Sequence, residues 1–191
     1  MKTVFFDIDT QIDFMYPAGA LYVAGAERIV PGITRLNQSA PLLVSTMCAH
    51  QENDPEFAKW PPHCVVGTTG QLKPQSTLRA RRVVIPNTLI DVVIDGAEQI
   101  IVEKQQLNLF TNPNLRRLLH LLAADEYVVY GVVTEYCVRH AALGLLETGK
   151  PVTLVTDAIQ ALDKEEAERT FQAFVAGGGR LATTSKLLPL R

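Results

Sequence analysis

Residues 127–148 of the chain read YVVYGVVTEYCVRHAALGLLET and contain one strand-to-helix unit. The segment 127–132 is a nearly continuous apolar run rich in β-branched residues, which is typical of a strand covered on both faces. The segment 135–148 carries apolar residues at helical spacing and is followed by Gly149, a residue that favours helix termination. The stretch therefore predicts a β-strand that leads directly into an amphipathic helix.

The same alternation continues along the rest of the chain. Further β-branched apolar runs lie at residues 3–8, 42–46, 100–102 and 152–155, and helical patterns lie at 27–38, 112–123 and 164–176. The short segments 83–85 and 180–188 are candidates for an additional strand or edge segment. Because strands and helices alternate, right-handed crossovers should join the strands into one sheet. The sequence therefore predicts an α/β fold with a doubly wound, mainly parallel sheet and helices on both faces.

Composition limits the classes of protein to which the chain can belong. Its 191 residues are 47% hydrophobic and 20% charged, which favours a single globular domain spanning 1–191. A net charge of −2 disfavours a nucleic-acid partner. No uninterrupted apolar stretch approaches the ~18 residues of a transmembrane helix, so we expect no membrane partner. Three cysteines are too few for a disulfide framework, and we therefore expect a cytoplasmic protein.

One stretch departs from the alternation of strands and helices. Residues 50–90 are rich in proline and show little periodicity, which predicts a mostly irregular insertion. Insertions of this length often close over a ligand site. Ligands of open parallel sheets bind beyond the carboxyl ends of the strands. We therefore expect the insertion to cover a site formed by the residues that follow the strands.

Three reactive side chains follow three different apolar runs. Asp13 lies beyond the first run, Lys104 follows the run at 100–102, and Cys137 should lie in the first turn of a helix. Asp7 and Asp9 are interpreted as residues that cap the turn after the first run. A thiol at a helix N-terminus, a carboxylate that takes its proton and a lysine beside both form a nucleophilic set.

Five motifs resemble those of the isochorismatase-like cysteine hydrolases, and within that superfamily those of the nicotinamidase-related amidases. They are the stretches 9–14 (DTQIDF), 60–70 (WPPHCVVGTTG), 103–104 (EK), 131–138 (GVVTEYCV) and 155–158 (VTDA). The resemblance covers nearly the whole chain and implies a Rossmann-like sheet. It implies a catalytic triad that falls on Asp13, Lys104 and Cys137. It also implies a cis peptide bond between Val132 and Val133, and an oxyanion hole formed by the backbone N–H groups of Val133 and Cys137.

The resemblance also implies groups that bind ligands. Phe14 and Trp60 match positions at which related nicotinamidases place aromatic groups around a pyridine ring. Cys48, His50 and His63 match a metal-binding set in which Cys48 replaces the usual aspartate. Thiolate and imidazole are both good ligands of zinc, so a divalent metal such as zinc is compatible with this set, although metal-free relatives exist. Since these proteins usually form dimers or tetramers, we expect a homo-oligomer.

Together these features predict a hydrolase that cleaves the C–N bond of a small primary amide through a cysteine thioester. An aromatic amide is one such substrate. Two alternatives remain open. The first is an isochorismatase-type vinyl-ether hydrolase, which does not need a nucleophilic cysteine, so the retention of Cys137 argues against it. The second is a catalytically silent binding protein, and the intact set of Asp13, Lys104 and Cys137 argues against that. The expected partner is a small-molecule amide.

Overall fold

Seven strands form the sheet in the computed structural model, which describes residues 1–188. They are β1 (Thr3–Ile8), β2 (Leu43–Cys48), β3 (Arg82–Ile85), β4 (Gln99–Lys104), β5 (Glu126–Val132), β6 (Val152–Gln160) and β7 (Arg180–Ala182). Their order across the sheet is β3-β4-β2-β1-β5-β6-β7, and every adjacent pair is parallel. The predicted parallel α/β sheet is thus confirmed. The last three residues of the predicted domain, 189–191, lie outside the described residues.

Helices follow most of the strands. They are α1 (Ile12–Met15), α2 (Val30–Ser39), α3 (Leu115–Leu122), α4 (Arg139–Leu146), α5 (Lys164–Ala176) and α6 (Thr184–Leu187). Short 3-10 turns lie at Ala26–Arg28, Pro55–Ala58, Thr69–Gln71, Gln75–Thr77 and Leu109–Thr111. Successive residues of the central strands β1, β2, β4 and β5 are almost all buried. Because neighbouring residues of a strand point to opposite faces, both faces of the sheet are covered.

The predicted helix over 135–148 is divided in the structure. A π-helical turn, Thr134–Val138, comes first, and α4 follows it. The carbonyl of Val133 accepts hydrogen bonds from the N–H groups of both Tyr136 and Val138, each at 3.1 Å. Since Val138 is five residues beyond Val133, this bond is the wide spacing that defines a π turn. Cys137 lies inside this turn rather than in an α-helical first turn.

The insertion between β2 and β4 is mostly irregular, as predicted, but it also contains the edge strand β3. A buried carboxylate fixes it to the sheet. Asp7 accepts a hydrogen bond from the hydroxyl of Thr10 at 2.7 Å, and its Oδ2 lies 3.3 Å from Nζ of Lys73 in the insertion. The same oxygen accepts from the Asn37 side chain at 3.1 Å. The expected capping of the turn through backbone N–H groups is thus not what Asp7 does: it lies within β1, binds the Thr10 hydroxyl and attaches residue 73 to the core.

The topology brings the site together at one edge of the sheet. The chain proceeds from β1 toward β2 and β4 on one side and later toward β5 and β6 on the other. The order of strands therefore changes direction between β1 and β5, which is where ligands bind in sheets of this type. Among residues 1–188, no helix has both the length and the apolar character required to cross a membrane.

Candidate active site

Three buried side chains meet beyond the ends of β1, β4 and β5. The Nζ of Lys104, the last residue of β4, lies 2.8 Å from Oδ2 of Asp9 and 3.4 Å from Sγ of Cys137. Asp9 directly follows β1, where it adopts a left-handed φ of 47°. Its other oxygen, Oδ1, accepts a hydrogen bond from the hydroxyl of Thr46 at 2.6 Å. A carboxylate, an ammonium and a thiol therefore share one water-poor site.

The charges in this group stabilise one another. Burial alone would raise the pKa of Asp9, but Lys104 and the hydroxyl of Thr46 together hold that pKa below its ordinary value. Burial would lower the pKa of Lys104, but Asp9 outweighs this effect and raises the pKa well above the ordinary lysine value. Burial raises the pKa of the Cys137 thiol well above its ordinary value, in spite of the nearby Lys104. The resting group thus contains an Asp9–Lys104 ion pair beside a protonated thiol.

The sequence predicts that Asp13 supplies the carboxylate of this group. In the structure Asp9 occupies that position, and Asp13 lies outside the group. The Oδ1 atom of Asp13 accepts the N–H of Ala20 at 2.9 Å, and Oδ2 accepts the N–H of Cys64 at 2.7 Å. Gly70 packs so closely against this carboxylate that a Cβ at residue 70 would lie 2.1 Å from Oδ2. The helix α1 thus turns Asp13 toward the insertion, where it holds three segments of backbone together.

Cys48, expected from the sequence as a metal ligand, also lies elsewhere. It is the last residue of β2, and its Sγ lies 3.2 Å from Nζ of Lys104. Burial raises the pKa of this thiol to about 12, which favours a protonated sulfur beside Lys104. The backbone of Cys48 is fixed by Gln11, whose Oε1 accepts the N–H of Cys48 at 2.7 Å. Cys48 is thus a neighbour of Lys104.

Glu56 takes the place expected for Cys48 in a group of three ligand atoms. The nearest ligand atoms of His50, Glu56 and His63 all lie within 4.8 Å of one another. Both histidines are buried, and Nε2 of His63 lies 3.9 Å from Oε1 of Glu56. The Nε2 atom of His50 is buried and makes no hydrogen bond within the described part of the chain. Two imidazoles and one carboxylate form a donor set that suits zinc and related divalent metals.

The outer nitrogens of both histidines are already engaged. Nδ1 of His50 lies 2.9 Å from Oδ2 of Asp54, and Nδ1 of His63 lies 2.8 Å from the carbonyl oxygen of Pro61. These acceptors favour a hydrogen on Nδ1, which leaves the Nε2 lone pair of each ring free to bind a metal. Burial lowers the pKa of His63, which favours the neutral ring that a metal requires.

An apolar cleft that is partly open to solvent lies between Glu56 and His63 of this donor set and Cys137. Phe14 and Trp60 both line it, as expected for substrate-binding groups. The ring of Trp60 packs edge-on against Tyr136, with ring centroids 5.5 Å apart. The lining residues are Asp9, Phe14, Leu21, Val23, Cys48, Glu56, Trp60, His63, Leu107, Val132, Val133, Tyr136, Cys137 and Leu162. Most of these side chains are apolar, so the described lining favours a ligand with an apolar ring or chain.

The backbone at the end of β5 has the expected conformation. The peptide bond between Val132 and Val133 is cis, which confirms that implication of the resemblance. Both Val133 and Cys137 line the cleft. Glu135 fixes the turn that follows this peptide bond. Its Oε1 accepts hydrogen bonds from the N–H groups of Leu162 and Asp163 at 2.9 and 2.8 Å. The turn that carries the thiol is therefore attached to the segment preceding α5.

The chain is similar to known proteins along almost its whole length. A family model described as the isochorismatase domain matches residues 3–186. The nicotinamidase of Acinetobacter baylyi is 25% identical over 203 residues, a match that covers 95% of this chain and 92% of that protein.

Two solved structures are similar over almost the whole chain. The pyrazinamidase of Pyrococcus horikoshii in complex with zinc has a TM-score of 0.77 and 26% identity, and the match covers 96% of this chain and 99% of that chain. PnC1 from L. infantum in complex with nicotinate has a TM-score of 0.79 and 25% identity, and the match covers 96% of this chain and 93% of that chain. The fold implied by the sequence resemblance is thus confirmed.

Proposed function

This chain belongs to the isochorismatase family, and on that premise we propose that it is a cysteine-dependent amidohydrolase acting on nicotinamide or a similar small amide. The observation that carries the proposal is the contact of Lys104 with both Asp9 and Cys137, at 2.8 and 3.4 Å. A thiol with a carboxylate and a fixed cation at its side is the arrangement that nucleophilic catalysis requires.

The nucleophile is Cys137, and Asp9 is the base. As the sulfur attacks the amide carbonyl, Asp9 accepts the proton of the thiol, which is held protonated by burial. Lys104 stabilises the negative charge on the sulfur while Asp9 becomes neutral, because its ammonium contacts both groups. Asp9 then returns the proton to the departing nitrogen, which leaves as ammonia. Water, deprotonated by Asp9, hydrolyses the thioester to the carboxylic acid and frees Cys137.

The backbone N–H groups of Val133 and Cys137 stabilise the oxyanion that forms during attack. Both residues line the cleft, and the turn that contains them is attached to the segment 162–163 through Glu135. Fixed backbone donors of this kind typically contribute ~10²–10³ in rate for each donor.

A divalent metal at His50, Glu56 and His63 fits the donor set, since Nε2 of His50 is buried without a partner and both Nδ1 atoms are engaged. Zinc is our candidate. When bound, it supplies a Lewis-acid centre that holds a lone pair of the substrate, such as that of a pyridine nitrogen. The residues themselves orient the ring: Phe14 and Trp60 supply apolar surface along the cleft.

The thiol favours an amide over a vinyl ether. An isochorismatase-type vinyl-ether hydrolase does not need a nucleophilic cysteine, whereas the sulfur of Cys137 lies 3.4 Å from Nζ of Lys104. A catalytically silent protein is disfavoured because Asp9, Lys104 and Cys137, from three different segments, meet in one nucleophilic group.

Release of ammonia from nicotinamide tests the proposal. We expect the wild type to release ammonia rapidly and Cys137→Ala to release none above the uncatalysed rate. Cys64→Ala is the matched control, because Cys64 is also a buried cysteine but, among residues 1–188, the hydrogen bonds of Lys104 Nζ to sulfur go to Cys48 and Cys137. Ammonia release that persists in Cys137→Ala would contradict the role of the thiol. Absence of release from nicotinamide, benzamide and pyrazinamide by the wild type would contradict the proposed substrate class.

We further propose that the chain acts as one cytoplasmic domain, closed over the site by residues 50–90, and that it forms a homo-oligomer. Exposed apolar side chains in the segment 84–93 support association, since Leu89 is 78% and Val93 is 67% exposed. Light scattering of the purified protein should give the mass of a dimer or tetramer, and a mass of 21.0 kDa would contradict the oligomer.

A further inference from the structure

The ammonium of Lys104 has more acceptors than hydrogens. A lysine ammonium carries three N–H donors. Four acceptors surround Nζ of Lys104: Oδ2 of Asp9 at 2.8 Å, the carbonyl oxygen of Gln106 at 3.0 Å, and the sulfurs of Cys48 at 3.2 Å and Cys137 at 3.4 Å. The two oxygens are closer and are stronger acceptors than sulfur. One N–H is therefore left for two sulfurs.

The sheet explains why Cys48 lies at this position. Strand β2 runs between β4 and β1, so the side chain of Lys104 passes over the end of β2 to reach Asp9. Cys48 ends β2 and pairs directly with Lys104 in the register of the sheet. Gln11 fixes Cys48 from both sides, because it accepts the N–H of Cys48 at 2.7 Å and donates to its carbonyl at 2.9 Å. The backbone of Cys48 is therefore fixed at the level of Lys104, and its sulfur lies 3.2 Å from Nζ.

We propose that Cys48 is a positioning residue that competes with Cys137 for the third N–H of Lys104. In the resting enzyme both sulfurs lie within hydrogen-bonding distance of Nζ and share that N–H, with Cys48 at the shorter of the two distances. When the thiolate of Cys137 forms, the N–H turns toward it because a charged acceptor is stronger than a neutral one. Cys48 thus restrains the nucleophile until a substrate is attacked. This inference rests on the proposed cysteine hydrolase, but its test does not depend on the substrate.

The test measures the rate at which iodoacetamide alkylates Cys137 as a function of pH, read by mass spectrometry of the peptide that contains this residue. Only the thiolate reacts, so the midpoint of the profile reports its formation. The titratable groups that surround Cys137 are Asp9, Cys48, Glu56, His63, Lys104 and Tyr136. Only residue 48 changes in the series of variants, so a shift of the midpoint is assigned to it.

Cys48→Val removes the acceptor and fills its space with methyl groups. We expect the midpoint to fall by about one pH unit, which corresponds to roughly tenfold faster alkylation below the midpoint. Cys48→Ser retains an acceptor and should restore the wild-type midpoint, whereas Cys48→Asp supplies a stronger acceptor and should raise it. Cys64→Ala is the control and should leave the midpoint unchanged.

The order of the midpoints in the three variants of residue 48 distinguishes a positioning role from a merely structural one. A merely structural role would affect all variants through their stability alone. An unchanged midpoint in Cys48→Val, or an equal shift in Cys48→Ser, would overturn the proposal. Zinc titration by calorimetry is the second readout. We expect Cys48→Val to bind zinc as tightly as the wild type does, and a loss of zinc binding would overturn the proposal by making Cys48 a ligand. Neither readout uses an amide substrate, so failure of this inference can be distinguished from failure of the proposed function.

Discussion

Nζ of Lys104 lies 2.8 Å from Oδ2 of Asp9, and both side chains are almost completely buried. They come from strands that are not neighbours, since β2 separates β4 from β1. A buried charge is tolerated only when it is paired, so each of these residues requires the other. The pair keeps a carboxylate and an ammonium close to Cys137 without adding a net charge to the core.

The pH dependence of stability should reflect this pair. The pKa of Asp9 is lowered from 3.8 in the folded protein, so its contribution is present above about pH 4 and is lost as the pH falls. The pKa of Lys104 is raised above 10.5, so its contribution is present below pH 10.5 and is lost as the pH rises through the folded value. Thermal unfolding of the wild type should therefore show a plateau between these limits.

A double variant, Asp9→Asn with Lys104→Gln, supplies the control for this prediction. It lacks both titrating groups, so its unfolding temperature should fall less steeply below pH 4 and above pH 10.5 than that of the wild type. Identical slopes in the two proteins would show that the pair does not contribute to the pH dependence.

Zinc affinity should depend on Glu56 and on the residue that orients His50. Glu56→Gln removes the carboxylate from the donor set. Asp54→Asn weakens the acceptor at 2.9 Å from Nδ1 of His50, and changes in such outer groups typically lower affinity about 10- to 100-fold. Calorimetric titration of the metal-free protein measures both effects. Glu52→Gln, an exposed acid of the same loop, should bind zinc like the wild type, and equal affinities in all variants would contradict this donor set.

Trp60 should affect substrate binding more than chemistry. Its ring lines the cleft and packs edge-on against Tyr136, whereas Lys104 forms its contacts with Asp9 and Cys137. We expect Trp60→Ala to raise KM for nicotinamide about 2- to 10-fold with little change in kcat, which is the signature of lost uniform binding. Trp60→Phe keeps an aromatic ring and should lie close to the wild type. A large fall in kcat with KM unchanged would be inconsistent with this role.

The fold was largely predictable because strands that are covered on both faces leave continuous apolar runs in the sequence. β1 has the predicted bounds of 3–8 and α5 the predicted bounds of 164–176, the latter capped by Asp163. The extension of β6 to residue 160 was not predicted, because polar residues interrupt the apolar pattern after Val155. The π-helical turn at 134–138 also escaped prediction, because it depends on which carbonyl its N–H groups reach.

The site was predicted only in part because side-chain direction depends on tertiary contacts. The sequence predicts that Asp13, Lys104 and Cys137 meet; Lys104 and Cys137 do, but Asp9 rather than Asp13 lies beside them. The register of the parallel strands would have indicated Asp9. Cys48 pairs with Lys104, and Asp9, directly beyond the end of β1, lies near the same level of the sheet. Asp13 is four residues further on. Glu56 was missed because it belongs to an irregular loop, where spacing alone does not indicate which side chains meet.

The comparison of Asp9→Asn with Asp13→Asn tests the central claim most directly. The measurement is kcat/KM for ammonia release from nicotinamide, with unfolding temperatures recorded for both variants. Asp9 contacts Lys104, whereas Asp13 binds only the backbone N–H groups of Ala20 and Cys64. We predict a loss of about 10²–10⁴ for Asp9→Asn, as expected for removal of a general base, and a much smaller loss with lower thermal stability for Asp13→Asn. Full activity in Asp9→Asn, together with its loss in a stably folded Asp13→Asn, would contradict the account.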